Sequence, residues 1–202
     1  MEANAKKPLI SRRSVVVGSA GIAACFVLGG VGKAFAANED FLRPPGGQDY
    51  QRFLSACLRC DRCRSACERN AISVCTEADG LVNMRLPKLN FDFGYCDLCE
   101  GSFKCIEACP TGALRPFDSL TEKIGIAVIE KDECLTYRVS GQCDARCVGV
   151  CPVEALFLDD EGRLRIEEEA CYGCGICEYV CPSNSYGTYS GTNLRGINIQ
   201  PL

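Results

Sequence analysis

Sixteen of the eighteen cysteines in this chain fall into four short runs, and this clustering limits what the chain can fold around. The runs start at residues 57, 96, 134 and 171. The first and fourth have the spacing C-x2-C-x2-C-x3-C, which lets one loop hold three corners of a [4Fe–4S] cube while the fourth thiolate reaches another cube. The candidate ligands are Cys57, Cys60, Cys63 and Cys67; Cys96, Cys99, Cys105 and Cys109; Cys134, Cys143, Cys147 and Cys151; and Cys171, Cys174, Cys177 and Cys181.

Two other uses of clustered cysteines, disulfide bonds and zinc, fit this pattern less well. Disulfide frameworks are common in exported chains, but they do not require the same tight four-sulfur run four times. Zinc sites prefer separated C-x2-C pairs, often with histidine, and this chain has no histidine. The pattern therefore predicts four [4Fe–4S] clusters. A zinc scaffold that carries no electrons is the alternative from a different functional class.

The runs are not all regular, and one cysteine lies outside them. The third run is spaced C-x8-C-x3-C-x3-C, which makes Cys134 the least secure of the sixteen predicted ligands. Glu68 takes the place of the proline that follows the last cysteine of the other three runs. Cys75 is an alternative ligand in principle, but it lies in a predicted strand with no cysteine near it in the sequence. We interpret Cys75 as a small buried apolar residue, which is the usual role of a free cysteine.

Residues 1–36 have the pattern of a twin-arginine export signal. Arg12 and Arg13 precede an apolar stretch, and residues 34–36 read Ala-Phe-Ala, an A-x-A-type cleavage site. That route exports folded proteins, as a chain that receives its clusters in the cytoplasm requires. We expect cleavage after Ala36 and a periplasmic location. An uncleaved signal that anchors the chain in the membrane is the main alternative, and lipid attachment at Cys25 ranks lowest.

The charge of the chain restricts its partners. The net charge is −4, and residues 1–36 hold five basic residues and one acidic residue, so the mature chain is more acidic still. This argues against nucleic-acid binding, which needs a basic stripe. It suits either solubility or docking to basic surfaces of redox partners. The arginines near the first run are a local exception, either a docking face or a balance to cluster charge: Arg52, Arg59, Arg62, Arg64 and Arg69.

The remaining sequence predicts three further segments after the signal. Residues 37–56 form an N-terminal arm, residues 57–182 form a four-cluster domain, and residues 183–202 form a loop-like C-terminal tail. After the fourth cysteine of a run, a small residue follows at the fourth position and a larger apolar one at the fifth, as in Ala155 and Leu156. We expect the small residue to let a short helix lie close to a cluster and the larger apolar residue to shield the cluster from water.

Short strands are predicted between the runs. Residues 155–158 and 163–167 flank turn residues and predict a β-hairpin. Residues 124–129 predict another strand, and residues 81–86 a weaker one. Because few apolar residues lie outside these elements, the clusters themselves must serve as the core. The predicted fold class is α+β, a tandem ferredoxin-like arrangement of two halves that each hold two clusters between short helices and β-hairpins.

A known family shares these features. The twin-arginine signal, the arm sequence Leu-Arg-Pro-Pro-Gly at residues 42–46 and the runs closing on Cys181-Pro182 resemble the NapG/MauM family of ferredoxin-type proteins. The second run also resembles electron-transfer subunits of molybdenum oxidoreductases, in which the outer runs pair and the inner runs pair. The short gap between Cys151 and Cys171 fits pairing of neighbouring runs equally well.

The resemblance implies a periplasmic protein with four [4Fe–4S] clusters, bound at the membrane through a quinol-oxidising partner similar to NapH. Electrons would pass from that partner toward periplasmic nitrate reductase. The chain alone offers no acid–base constellation for quinol chemistry, so we do not expect it to be catalytic by itself. Two alternatives stay open: a maturation factor for an exported dehydrogenase, as MauM-like members imply, and an electron-transfer subunit of another exported complex.

Overall fold

The computed structural model of this protein describes residues 39–138, 143–185 and 194–202. The predicted export signal of residues 1–36 lies outside the described residues. The described chain combines short helices with short strands, as expected for the α+β class. No helix in the described segments is both long enough and apolar enough to cross a membrane.

The helices and strands are all brief, from three to seven residues. The α-helices are α1 (Tyr50–Ala56), α2 (Arg62–Ala66), α3 (Lys104–Glu107), α4 (Arg146–Gly149) and α5 (Ile176–Val180). The strands are β1 (Ile72–Val74), β2 (Pro87–Leu89), β3 (Ile126–Ile129), β4 (Leu156–Leu158), β5 (Leu164–Ile166) and β6 (Ile197–Gln200). The 3-10 turns are Glu77–Asp79, Leu98–Gly101, Leu135–Tyr137 and Pro182–Ser185.

The described strands form three antiparallel pairs. β4 and β5 make the hairpin predicted for residues 155–167, with Leu156 opposite Ile166. Its tight turn is held by the Asp159 carboxylate, which accepts hydrogen bonds from two backbone N–H groups of the turn. β1 pairs with β2 in the same way, although a longer connection separates these two strands.

The predicted strand at residues 124–129 is present as β3, but its partner is remote. β3 pairs with β6, which lies in the segment predicted as a loop-like tail. That loop prediction is wrong for residues 197–200. Alternation of isoleucine with polar residues buries Ile197 and Ile199, which makes a strand favourable once β3 provides its hydrogen-bonding edge. Residues 186–193 of the predicted tail lie outside the described residues.

The weaker strand predicted at residues 81–86 is not formed. Residues 81–85 make successive turns, and the strand begins only at Pro87. The reason is the buried side chain of Asn83, which donates to the Asp79 carbonyl oxygen at 2.8 Å. Its Oδ1 accepts from the Tyr50 hydroxyl at 2.8 Å. A local turn and a contact from the N-terminal arm therefore outweigh the strand preference.

The N-terminal arm packs against the cysteine domain instead of extending away from it. Pro44 and Pro45 are fully buried. Gly46 has φ +82°, and a Cβ there would lie 2.0 Å from the Arg115 carbonyl oxygen, so only glycine fits. The arm then enters α1, whose first turn is capped by the Asp49 carboxylate. Sequence periodicity did not reveal this helix because it has fewer than three turns.

The N-terminal region (residues 39–123) and the C-terminal region (residues 124–202) meet at several direct contacts. The backbone N–H of Cys96 donates to the carbonyl oxygen of Cys174 at 2.8 Å. Arg195, which is only 5% exposed, forms an ion pair with Asp92 at 3.0 Å. The aromatic rings of Tyr95 and Tyr179 lie 5.6 Å apart. These contacts place the second and fourth cysteine runs side by side.

Candidate iron–sulfur sites

The sixteen predicted ligands come together in four groups of four. Each group takes three cysteines from one run and the fourth from a neighbouring run. The first three groups each surround a cavity. The groups are site I (Cys57, Cys60, Cys63, Cys109), site II (Cys67, Cys96, Cys99, Cys105), site III (Cys134, Cys143, Cys147, Cys181) and site IV (Cys151, Cys171, Cys174, Cys177).

Site IV is recognised from the mutual influence of its thiols. Burial, followed by the negative charges of Cys174 and Cys171, raises the pKa of Cys177 well above its usual range. Burial also raises the pKa of Cys174, and the charges of Cys171 and Cys151 add to this effect. Such coupling requires the four sulfur atoms to lie near one another.

Neighbouring runs therefore exchange their last cysteines. Cys67 of the first run completes site II, and Cys109 of the second run completes site I. The third and fourth runs exchange Cys151 and Cys181 in the same manner. This exchange follows from packing, because α2 contacts α3 and α4 contacts α5. The sequence had left open whether outer or neighbouring runs pair, and the structure has the neighbouring arrangement.

One local geometry places the third cysteine of each site. Cys63, Cys105, Cys147 and Cys177 are each the second residue of a short helix and are buried. The residue before each helix has a positive φ, which turns the chain sharply from the preceding loop into the helix. These residues are Asp61, Phe103, Ala145 and Gly175. Only the last is glycine, so the other three tolerate the strain of a left-handed conformation.

Backbone N–H groups and hydroxyls point at several of the sulfur atoms. The N–H of Arg59 lies 3.4 Å from Cys57 Sγ, and the N–H of Ala155 lies 3.3 Å from Cys151 Sγ. At Cys109, burial would raise the pKa, but N–H groups of residues 111, 113 and 114 outweigh burial and lower it. The hydroxyl of Ser183 lies 3.1 Å from Cys181 Sγ. These donors stabilise sulfur in its negatively charged, metal-binding form.

Burial acts in the opposite direction on the helical cysteines. It raises the pKa of Cys63, Cys105 and Cys147 to about 12 in each case. Such thiols ionise readily only when a cation or a metal cluster compensates the charge. The small residue Ala155 and the predicted shielding residue Leu156 are buried as well, with 1% and 4% of their surfaces exposed. The sites therefore combine neutral hydrogen-bond donors with helical cysteines that are buried, and both features tune reduction potential.

The four sites follow one another in the order I, II, IV, III. Cys63 of site I acts on the pKa of Cys105 of site II, after burial and Cys99. Sites II and IV meet at the hydrogen bond from Cys96 to Cys174. Cys147 of site III acts on the pKa of Cys177 of site IV, after burial and two nearer thiols. The spatial order thus differs from the order along the sequence.

Tyr172 occupies the junction between sites II and IV, and sequence reasoning missed it. Its hydroxyl acts on the sulfur of Cys174 and offsets part of the rise that burial causes in the pKa of that thiol. Burial raises the pKa of Tyr172, and the charges of Cys174, Cys96 and Cys151 raise it further. Because these thiols belong to two different sites, the ring lies between them. Its position between the first two cysteines of the fourth run was the only available signal.

The two doubtful cysteines are clearly separated by their surroundings. Cys134 lines the same cavity as Cys143, Cys147 and Cys181, despite the irregular spacing of its run. Cys75 is 2% exposed and directly follows β1, away from the four groups. Burial raises its pKa to about 12, which fits the predicted role as a small buried residue. Whether each of the sixteen grouped cysteines binds iron stays a prediction.

The donor set fits iron–sulfur clusters. Each site offers four thiols, and backbone N–H groups point at several of their sulfur atoms. Within the described residues, no three Cys, Asp or Glu side chains are close enough together to hold a single metal ion. The grouped cysteines instead surround cavities at sites I, II and III. Four thiols around one site are the donor set that a [4Fe–4S] cluster needs.

Comparison with known proteins agrees with this chemistry. Residues 140–191 match the model of the LdpA Fe-S cluster-binding domain. The chain is 35% identical over 185 residues to the ferredoxin-type protein NapG of Escherichia coli (strain K12), and the alignment covers 84% of this chain and 78% of NapG. The chain belongs to the NapG/MauM family of ferredoxin-type proteins. It is therefore an iron–sulfur protein of electron transfer.

Other relatives of the NapG/MauM family show similar likeness. The methylamine utilization ferredoxin-type protein MauM of Paracoccus denitrificans (strain Pd 1222) is 32% identical over 190 residues, covering 85% of this chain and 83% of that protein. The ferredoxin-type protein NapF of Escherichia coli (strain K12) is 32% identical over 145 residues, with 70% and 80% covered. Both levels of identity are near that of NapG, so identity alone does not choose among the three.

Proposed function

We propose that this protein is a periplasmic electron carrier with four [4Fe–4S] clusters, arranged as two ferredoxin-like halves. Sites I and II make one half, and sites III and IV make the other. The single observation that supports this most directly is the unbroken order of the four cysteine groups, I, II, IV, III. Each group contacts the next through named residues, so electrons have a continuous path from one end of the protein to the other.

The residues of the chain would bind the clusters, shield them from water and tune their reduction potentials. A [4Fe–4S] cluster, when bound, takes up and releases one electron at a time. The sixteen cysteines hold the clusters, and the N–H groups of Arg59 and Ala155 stabilise the ligating sulfur. Buried alanines, such as Ala71 and Ala155, let the backbone approach while excluding water. No residue of the chain has to donate or accept a proton in this role.

We assign a membrane partner as the electron source. Quinol oxidation needs an apolar site and a group that accepts protons, and this histidine-free chain is a poor host for both. A quinol-oxidising membrane protein similar to NapH would supply the electrons, and periplasmic nitrate reductase would receive them. The twin-arginine pattern of residues 1–36 supports export of the folded, cluster-loaded protein.

Cells that lack this chain test the assignment directly. Nitrate reduction would be measured once with quinol as the electron donor and once with an artificial dye that reduces the reductase directly. We expect loss of the quinol-driven activity while the dye-driven activity persists. If both activities survive, the nitrate assignment is wrong. If both disappear, the chain is needed to build the reductase and its role is assembly.

Cluster content is tested independently on the purified protein. Four clusters require about sixteen iron and sixteen sulfide atoms per chain. Iron and acid-labile sulfide would be determined on protein made and purified without oxygen. A colourless protein containing zinc instead of iron would overturn the electron-transfer proposal and favour a structural zinc scaffold.

A second candidate is supported by the likeness to MauM, which is similar in extent to the likeness to NapG. In that case the protein would assist maturation of an exported dehydrogenase and would not lie on the route to nitrate reductase. The discriminating measurement is the cofactor content and activity of the dehydrogenase in cells that lack this chain. A defective dehydrogenase together with intact quinol-driven nitrate reduction would favour maturation.

A further inference from the structure

The surface over site I differs from the rest of this acidic molecule. Cys60 is the most exposed of the described cysteines. Leu58 beside it is 69% exposed, an unusual position for a large apolar side chain next to a redox site. The surrounding residues form what we term the site I face: Leu58, Arg59, Arg62, Arg64, Leu81, Met84 and Arg85, all of them exposed.

Hydrogen bonds and an ion pair join the loop of the first cysteine run to the turn of residues 80–85, and together these two segments form the site I face. The Arg59 guanidinium donates to the carbonyl oxygen of Val82 at 2.8 Å. The Arg85 guanidinium binds the Asp61 carboxylate at 3.2 Å. These contacts hold the turn of residues 80–85 beside the first cysteine run. As a result, the exposed apolar side chains of Leu81 and Met84 lie on the same loop as Arg85.

The guanidiniums of the site I face bind groups of the two loops, and the charge of Arg59 also offsets part of the rise that burial causes in the pKa of Cys57. The guanidiniums of Arg59 and Arg85 bind Val82 and Asp61, and Arg64 lies 4.0 Å from the same Asp61 carboxylate. The Asp61 carboxylate is therefore shared by two of the four arginines of the face. The arrangement leaves excess positive charge on an exposed surface.

The remaining arginines predicted for this cluster have other roles. Arg69 pairs with Asp97 at 2.6 Å and lies over the ring of Tyr95, next to site II. Arg52 is an exposed residue of α1. The C-terminal region carries the opposite charge, with nine acidic and three basic residues between 143 and 185. The molecule thus has a basic end at site I and an acidic end toward sites III and IV.

We propose that the site I face is the docking surface for an acidic protein partner that exchanges electrons with this chain. Exposed apolar residues surrounded by arginines are typical of protein interfaces, since arginine forks bind carboxylates while apolar contacts exclude water. The positive end would also steer a negatively charged partner toward the nearest redox site. The inference rests on the proposed electron-transfer function and names which end of the protein meets an acidic partner.

Voltammetry of the purified, cluster-loaded protein tests this with a defined acidic surface. The probe is a gold electrode coated with a carboxylate-terminated monolayer, and an amine-terminated monolayer serves as the comparison. We expect electron exchange to be at least about tenfold faster on the carboxylate surface and to weaken as salt is raised. Substituting Arg62→Glu and Arg64→Glu together should abolish that preference.

The control variant is Arg163→Glu, an exposed arginine in the β4–β5 hairpin that pairs with Glu161. It adds a negative charge to the other end of the molecule and should leave the carboxylate preference unchanged. A milder variant, Arg62→Gln with Arg64→Gln, guards against misfolding and should reduce the preference partially. Iron content and the visible absorption spectrum confirm that each variant retains its clusters.

Several outcomes would overturn the docking proposal. One is equal exchange on both surfaces, another is an unchanged preference in the double variant, and a third is no exchange on either surface. In the third case, dithionite is added to the protein in solution. If the visible absorption bleaches, the clusters accept electrons and only the docking proposal fails. If it does not bleach, the electron-transfer function is overturned as well. A final experiment measures binding to a membrane, by flotation of the protein with phosphatidylglycerol vesicles. Binding of the wild type but not of the double variant would assign the face to a membrane and not to a protein.

Discussion

The N-terminal and C-terminal regions build their cysteine sites from the same helix–strand unit, but they connect the two strands of that unit differently. β1 and β2 are joined by residues 75–86, whereas β4 and β5 are joined by the tight turn of residues 159–163. The longer connection carries the exposed side chains of Leu81, Met84 and Arg85. The comparison shows that cysteine geometry is common to both regions and that the long exposed connection between paired strands belongs to the N-terminal region alone.

The largest expected effect is the loss of iron when a grouped cysteine is replaced, compared with the replacement of Cys75, which lies in the connection between β1 and β2. Cys63 and Cys75 are both buried, and burial raises the pKa of each to about 12. Cys63→Ser should remove one cluster, about a quarter of the iron, because a ligand is lost. Cys75→Ala should retain all the iron and cost only about 1 kcal/mol. Iron analysis and EPR spectroscopy would measure this, and equal iron loss in both variants would break the distinction.

A second prediction concerns the turn that places the third cysteine of each site. A Cβ on Gly175 would lie 2.3 Å from the ring of Phe91, and its φ is +77°. Gly175→Ala should therefore destabilise the protein by about 3 kcal/mol, from the clash and the left-handed strain together. The melting temperature would fall by roughly 6–12 °C.

The matched control for Gly175→Ala is Ala145→Gly, at the same position of the third run. Ala145 already has φ +49°, so glycine relieves strain there without creating a clash. Its melting temperature should stay unchanged or rise slightly. A large loss in this variant would mean that the turns of the two runs are not equivalent.

The third prediction tests the long connection of the N-terminal region. Burial would raise the pKa of Asp79, but its hydrogen bonds from Lys88 and Thr76 outweigh burial and lower the pKa. Asp79→Asn should destabilise the protein by about 1–2 kcal/mol at neutral pH, because hydrogen bonds to a charged group are lost. This corresponds to a fall of roughly 2–8 °C in melting temperature.

The pH dependence of that difference has a definite sign. A lowered pKa means that ionised Asp79 stabilises the folded state, and the full contribution is present above the ordinary value of 3.8. The difference between wild type and Asp79→Asn should hold from pH 7 to pH 5 and shrink as the pH falls through the lowered pKa. Glu77→Gln, an exposed change on the same 3-10 turn, is the control and should have little effect. A constant difference below pH 3 would contradict the account.

The smallest predicted effect lies at the contact between the regions. Loss of the Tyr172 hydroxyl, which favours the charged form of Cys174, should lower the reduction potential of site IV, because polar groups near sulfur stabilise the more negative, reduced state. Tyr172→Phe should shift one cluster by on the order of 40 mV, equivalent to about 1 kcal/mol for one electron. Tyr137→Phe is the control, since its hydroxyl donates to the Leu164 carbonyl and not to sulfur. Identical potentials in wild type and Tyr172→Phe, measured by EPR-monitored titration, would rule out this tuning.

Local patterns were enough to predict part of this architecture. The hairpin at residues 155–167 follows from apolar alternation around a turn, and β3 follows from an apolar run. The turns at residues 81–85 and the strand β6 could not be predicted this way. Asn83 is held by Tyr50 of the arm, and β6 exists because β3 offers an edge nearly seventy residues earlier. Both depend on partners that are remote in sequence.

The cysteine sites, too, could be predicted only as far as they depend on residues close together in the sequence. The spacing of the first and fourth runs predicts three corners of each site, since a single loop supplies them. The fourth corner depends on which helices pack together. The contacts of α2 with α3 and of α4 with α5 decide that neighbouring runs exchange Cys67 with Cys109 and Cys151 with Cys181. Tyr172, Phe91 and Arg195 were missed for the same reason.

The pairing of β3 with β6 has a consequence for biosynthesis. The ribosome makes β3 before the third and fourth cysteine runs and makes β6 after both. At ordinary synthesis rates β3 therefore waits on the order of 10 s as an unpaired edge. β3 gains its partner only when β6 arrives, whereas the N-terminal region contains both strands of its own pair. A chain interrupted during translation would thus present an open β-edge, a feature that chaperones and proteases can recognise.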